Sequence, residues 1–371
     1  MLTARQARLA AEDWVREEGV RTPGFVGALL VGSIRELSPA DPYPPGSDVD
    51  VWVIVEGPVP DARRDPPSPL WPDKFAFRGA VLERGYFSWT SLRDPAVVLA
   101  DPNLGPTLAR AEILSDPSGR LTTITAAVVA EYPRRSWARL RLEGAAAKVA
   151  EVCAEVERVM HLPPDELPPW RVVIFQHAVH LAACLPAVAA LRRPTVRRSL
   201  VLAREVLEAQ GRADLAEALL GALGSAALGR AQAERIVAEL EPAYDTAAAV
   251  HRTRFGRDWN VSPAARPLAI EGIREMLETH HREAMSHAHV IRGIAQKILE
   301  NDAPEAERVR FREGYLALLT ALDMADEAGM GRRFAALAAL LPALREAAEA
   351  MLPAEDEPGP PPRALAAPSR G

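Results

Sequence analysis

The sequence predicts an α+β protein: a small α/β domain over residues 1–121, then an all-α helical-bundle domain over residues 122–352. Three observations predict it. In the first third, short β-branched and aromatic runs alternate with Pro- and Gly-rich loops. From Thr122 onward the apolar residues settle into the helical period and keep it. The last 19 residues, 353–371, carry six prolines and few apolar side chains. Such a segment cannot bury enough surface to offset its ordering entropy, so it reads as a disordered Pro-rich tail. A length of 371 residues suits two or three domains.

The elements run in order along the chain. Residues 2–18 mix apolar and charged positions at helical spacing, with Gly19 as the stop signal. Residues 25–31 form a short apolar strand ending at Gly32-Ser33. Residues 37–47 hold four prolines and a glycine, so they read as a loop. Residues 49–55 are a second strand, 57–73 another Pro-rich loop, and 80–89 a third strand. Helical segments then run over 122–160, 168–191, 195–210, 213–223, 228–254, 265–300, 304–328 and 331–352. Pro133, Pro163-Pro164, Pro194, Pro263 and Pro304 punctuate them.

Composition excludes several classes. The formal net charge of −6 argues against a general nucleic-acid binder, which carries a basic face. Two cysteines, Cys153 and Cys184, exclude a disulfide framework and a Cys-rich zinc site, and fit a reducing cytoplasm. Only Lys74, Lys148 and Lys297 are lysines among 44 cationic side chains, and none follows a Gly-rich loop, so Walker-type chemistry is out. No apolar signal segment opens the chain. Residues 172–191 carry no formal charge and are long enough to cross a bilayer. Their Gln176, His177, His180 and Pro186 make a buried core helix the expectation, so no membrane partner is expected.

The chemistry-bearing pattern is Gly32-Ser33, then 14 residues, then Asp48-Val49-Asp50 inside a strand. Side chains two apart in a strand share a face, which sets Asp48 and Asp50 together and points Val49 into the core. Carboxylates about 7 Å apart along the strand can ligate a divalent cation. All-oxygen ligation suits Mg²⁺, which also takes phosphate oxygens from a substrate. Gly32-Ser33 stands where a strand passes into a turn; backbone N–H groups and a hydroxyl there can hold phosphate, and glycine allows close approach. Glu83, the one acid in a largely apolar strand, is the candidate third acid. Three such acids could hold two metals that clamp the attacking and leaving oxygens of an in-line displacement.

With these residues the chain resembles the nucleotidyltransferase superfamily, the DNA polymerase β-like fold. In layout it is most similar to the aminoglycoside nucleotidyltransferase branch. The motif covers about residues 20–95: Gly32 and Ser33, a spacer, Asp48 and Asp50, and Glu83. The spacer is longer and richer in proline than is usual for the family, and no glycine follows Arg35. The resemblance implies Mg²⁺-dependent transfer of a nucleoside monophosphate from an NTP, ATP first, to the hydroxyl of a small polar acceptor, with release of pyrophosphate. It also implies a carboxylate from the helical domain as general base, and none aligns here. His177 is the candidate, since a histidine can take a proton near neutral pH. Two other readings stay open: a non-catalytic nucleotide-sensing or protein-binding module, and an enzyme that nucleotidylylates proteins.

Other clusters carry weaker signals. His280, His281, His287 and His289 lie in one segment, with His280 and His287 on one helical face, yet no His-Glu-x-x-His spacing occurs. A structural or solvated face is expected there. Arg192, Arg193, Arg197 and Arg198 could face phosphates, but a solvated face is the plainer expectation.

Overall fold

The computed structural model describes residues 2–59, 73–162 and 171–354. Most of the Pro-rich loop after residue 57, the Pro163-Pro164 break and nearly all of the tail read as disordered lie outside the described residues.

The fold is α+β. Helix α1 (Ala4–Glu17) opens the chain with a capping box: the Thr3 hydroxyl accepts from the Gln6 N–H, and the Gln6 side chain accepts from the Thr3 N–H. Strands β1 (Phe25–Val31), β2 (Val49–Val55), β3 (Asp73–Phe77), β4 (Ala80–Ser88) and β5 (Glu112–Ser115) form one sheet in the order β3-β4-β2-β1-β5. Only β2 and β4 run parallel; the other pairs are antiparallel. Short helices α2 (Trp89–Leu92), α3 (Pro95–Ala100) and α4 (Leu104–Leu108) come after β4.

Two of these strands were not expected. β3 sits at the end of the Pro-rich run and joins β4 through Arg78-Gly79, both at positive φ (47° and 84°). A two-residue turn with both φ positive matches the right-handed twist of a hairpin, and glycine adopts it without steric cost. β5 is four residues long and only partly buried throughout, so it shows no alternation to detect.

The sheet is covered on both faces. Val49, Val51 and Val53 of β2 pack with Leu30, Leu82 and the α1 side chains Ala7, Ala11 and Trp14. Ile54 of β2 faces the other way, with Leu29, Leu92, Leu99 and Leu108. That second layer includes Leu121, Ile124 and Val128 of α5 (Arg120–Glu131) and Trp137 of α6 (Arg135–Met160). The core of the sheet thus draws in residues on both sides of position 122.

The remaining helices build a second core: α7 (Arg171–Ala189), α8 (Ser199–Ala209), α9 (Ala213–Leu223), α10 (Arg230–Val250), α11 (Gly272–Asp302), α12 (Glu305–Ala321) and α13 (Glu327–Ala350). α6 belongs to both cores, since Ala138 and Leu142, just beyond Trp137, pack into the bundle. Among the described residues, only α7 is long and apolar enough to cross a membrane, and 72% of that stretch is buried inside the fold. α11 is preceded by a π-turn at Pro267–Glu271 and is broken at His280 (φ −138°, ψ 50°).

One buried cation ties the layers together. Arg141 of α6 is 0% exposed and donates to Leu99 O at 2.9 Å and Tyr132 O at 2.8 Å. Its guanidinium lies 4.2 Å from the centre of the Tyr132 ring. Burial lowers its pKa to about 10, which still leaves it charged at neutral pH. The two carbonyls close the C-terminal ends of α3 and α5. Replacing Arg141 with Met keeps the length of the stem but orphans both acceptors. Arg141→Met is therefore expected to cost about 2–3 kcal/mol in urea unfolding. An unchanged midpoint would show that the two carbonyls find other partners.

Candidate active site

The register of the sheet assembles the site. Lys74 pairs with Glu83, Glu83 with Asp50, and Asp50 with Val31, so four strands contribute one straight row. Paired residues project from the same face of a sheet, so Lys74, Glu83 and Asp50 share a side. Asp48 stands immediately before β2, and not inside a strand as the motif suggests, but joins them. One carboxylate oxygen from each of Asp48, Asp50 and Glu83 lies within 4.8 Å of the others. The structure thus brings the three expected acids together.

Gly32 and Ser33 end β1 beside them. Gly32 has φ 81°, a region that favours glycine, and a Cβ there would overlap the Asp50 carboxylate. Glycine is required both for the turn and for seating Asp50. Ser33 opens a short 3₁₀ turn (Ser33–Glu36) with its side chain exposed.

Lys74 was not anticipated. It is 7% exposed, and its ammonium donates to Asp48 Oδ2 and Glu83 Oε2. The available signal was its rarity, since only three lysines occur in the chain. Electrostatics result from this placement. Burial pushes the Asp48 carboxyl up, but the attraction and hydrogen bond of Lys74 outweigh it and hold the group below its ordinary range. Burial, then repulsion from Asp48 and Glu83, lifts Asp50 well above the ordinary range. Glu83 is raised as well, chiefly by burial, against the pull of Lys74. Burial works to lower Lys74, yet its two acids raise it, so it stays charged.

The loop expected over residues 37–47 is clamped on several sides. The Tyr43 hydroxyl donates to Ser47 O at 2.7 Å. Arg197 donates to Gly46 O, and the Gly46 N–H reaches Glu275 Oε1 at 3.4 Å. Gly46 lies directly against Gly272 at the start of α11, where a Cβ on Gly46 would overlap the Gly272 backbone.

The segment between α7 and α8 faces the acids with cations. Arg193 acts on Asp50 and Arg197 on Asp48, so part of the arginine cluster points at the site and is not a solvated face. The Arg193 Nε is buried without a hydrogen-bond partner among the described residues. Gln176 of α7 donates to Ser286 of α11 at 2.6 Å, which sets the registry of the histidines on those helices. His287 lies within electrostatic reach of Arg197, Lys74 and Asp48, and burial then those cations lower its pKa to about 3. His180 is lowered to about 4 by burial and Arg257. His177 stacks on His180 with ring centres 6.0 Å apart, and Arg257 Nη2 lies 3.5 Å from its Nδ1.

The other histidines diverge. The break at His280 removes the common face with His287. His280 meets the Thr279 hydroxyl, His281 meets Leu228 O, and His289 is 0% exposed in the bundle core.

No family model matches the chain, and no curated protein does. Among solved structures it is similar to the crystal structure of a nucleotidyltransferase-like protein from Exiguobacterium sibiricum 255-15. Identity is 13%, over 84% of this chain and 89% of that one, with a TM-score of 0.29. A likeness at that level carries no argument about function, which rests on the geometry of the site.

Two outcomes are expected. Gly32→Ala should displace Asp50 and weaken Mn²⁺ binding about 10- to 100-fold by calorimetry, the usual effect of disturbing a ligand's support. Unaltered affinity would separate Asp50 from cation binding. The second concerns pH in EDTA. The unfolded chain releases the Asp50 proton near its ordinary value while the fold retains it, so stability falls as pH rises from the aspartate range toward the raised value. Asp50→Asn removes that slope. The variant should resist urea better than the wild type at alkaline pH and converge with it in acid. A variant less stable at alkaline pH would contradict the electrostatic assignment.

Proposed function

We propose that the chain is a Mg²⁺-dependent nucleotidyltransferase. It would move a nucleoside monophosphate from an NTP, ATP by preference, to a hydroxyl of a small polar acceptor and release pyrophosphate. The supporting observation is the convergence of Asp48, Asp50 and Glu83 on one sheet face beside the Gly32-Ser33 turn. These residues follow the order of the superfamily's motif, with Asp48 one position ahead of the strand.

The residues fit a divalent cation. Three carboxylates against one bonded ammonium leave two negative charges in excess. All donors are oxygens, as Mg²⁺ prefers. A cation held by Asp48 and Asp50 supplies, when bound, Lewis-acid polarisation and charge balance for the phosphoryl oxygens. The chain's own residues do the rest. Gly32 and Ser33 offer a backbone approach and a hydroxyl to the triphosphate. Arg193 and Arg197 face the same space and would hold the departing pyrophosphate.

In the transfer, the acceptor oxygen bonds to the α-phosphorus as the bond to the bridging oxygen breaks, and the hydroxyl proton leaves. We assign that proton to Glu83. Its raised carboxyl is better matched to the task than an ordinary glutamate. His177, the candidate base read from the sequence, fits less well. Its Nδ1 takes a hydrogen bond from Arg257, which leaves the proton of the neutral ring on Nε2. His180 and His287 bind protons too weakly, at about 4 and 3. The acceptor class, the preference for ATP and a cytoplasmic location belong to this same reading.

The test is thermal unfolding with ATP, GTP, CTP and UTP, each with and without Mg²⁺. A ligand at 100 times its Kd adds about 2.7 kcal/mol, which moves the midpoint by a few degrees. The shift should need Mg²⁺, vanish in Asp48→Asn and Asp50→Asn, and shrink in Arg193→Ala. No shift with any nucleotide would overturn the reading.

A further inference from the structure

The buried ammonium within the acid cluster takes no part in that transfer. Lys74 sits on β3, an edge strand, where a lysine side chain ordinarily reaches solvent. Here it points inward and is 7% exposed. The Arg78-Gly79 turn fixes the register that sets Lys74 opposite Glu83. The 3₁₀ turn Asp258–Asn260 packs on β3. The ammonium bonds one oxygen of Asp48 and one of Glu83. No described residue hydrogen-bonds the Asp50 carboxylate, although it belongs to the same cluster.

We propose that the Lys74 ammonium permanently fills one of the two cation positions of this cluster, so that the chain takes a single divalent cation. This rests on the metal-dependent reading of the site. The two oxygens that Lys74 bonds, Asp48 Oδ2 and Glu83 Oε2, are those a cation bridging Asp48 and Glu83 would need. An ammonium donates hydrogen bonds and cannot share that space with a metal ion. The second oxygens of Asp48 and Glu83 and both oxygens of Asp50 remain for one ion. Charge agrees with geometry: with all three acids ionised, one divalent cation cancels the two negative charges that the bonded ammonium leaves, even before Arg193 and Arg197 are counted, and a second would meet no uncompensated carboxylate.

The experiment is Mn²⁺ titration of the full chain after EDTA stripping, read by calorimetry and by electron paramagnetic resonance, with Mn²⁺ alone as the probe. The wild type should bind one Mn²⁺ per chain and give the six-line spectrum of an isolated ion. Lys74→Met empties the position and keeps the stem, so it should bind two and show exchange coupling. Ions in paired sites lie about 3.5–4 Å apart, close enough to couple. Lys74→Arg should stay at one. Two coupled ions in the wild type would overturn the proposal while leaving the metal reading intact, and this arm needs no variant to fold. A folded Lys74→Met that still binds one ion would also overturn it. No binding to the wild type would overturn the metal reading, and this proposal with it.

Discussion

The pairing of β2 with β4 is the constraint on which the site depends. Parallel neighbours cannot be joined by a tight turn, so the chain must cross over between them, and it uses that crossing to lay down β3. The register Asp50–Glu83 is then set by burial. A slip of one residue would turn either Val49, Val51 and Val53 of β2 or Leu82 of β4 out of the α1 face. Packing on the α1 face thus holds the acids on the opposite face in line. The acids are positioned by hydrophobic packing behind them more than by contacts among themselves.

This arrangement brings like charges together at a cost that the fold meets in two ways. Lys74 compensates Asp48 and Glu83 directly. Asp50 is left to hold its proton or await a cation. Carboxylates that sit uneasily in the free protein are the ones with most to gain from a ligand of opposite charge. The same logic explains the arginines between α7 and α8, which temper the field of the acids without neutralising them.

Much of this was legible from residue order. The helical period is strong in the bundle, and its boundaries fell near prolines as expected, with α5 and α6 separating at Pro133. Asp48 and Asp50 were readable as a pair because a strand has period two. Glu83 stood out as the one acid of its strand. Lys74 was hidden because cross-strand register is a property of the assembled sheet, and β3 came after a Pro-rich stretch that masked its alternation. The direction of His287 was hidden for a different reason. Helical-wheel reasoning assumes one continuous helix, and the break at His280 resets the phase. The arginine cluster resembled a solvated face because nothing in its own segment announces what lies opposite.

The contact between Gly46 and Gly272 has a mechanical consequence. Two glycines back to back, with Arg197 and Glu275 bonded on either side, leave no slack between the loop ahead of Asp48 and the first turn of α11. α6 meanwhile runs through both cores. The sheet and the bundle therefore behave as one elastic body around the acids, and a hinge that parted them would drag Asp48 out of line with Glu83. A cation or other ligand of these acids would therefore meet a site already shaped before it arrives.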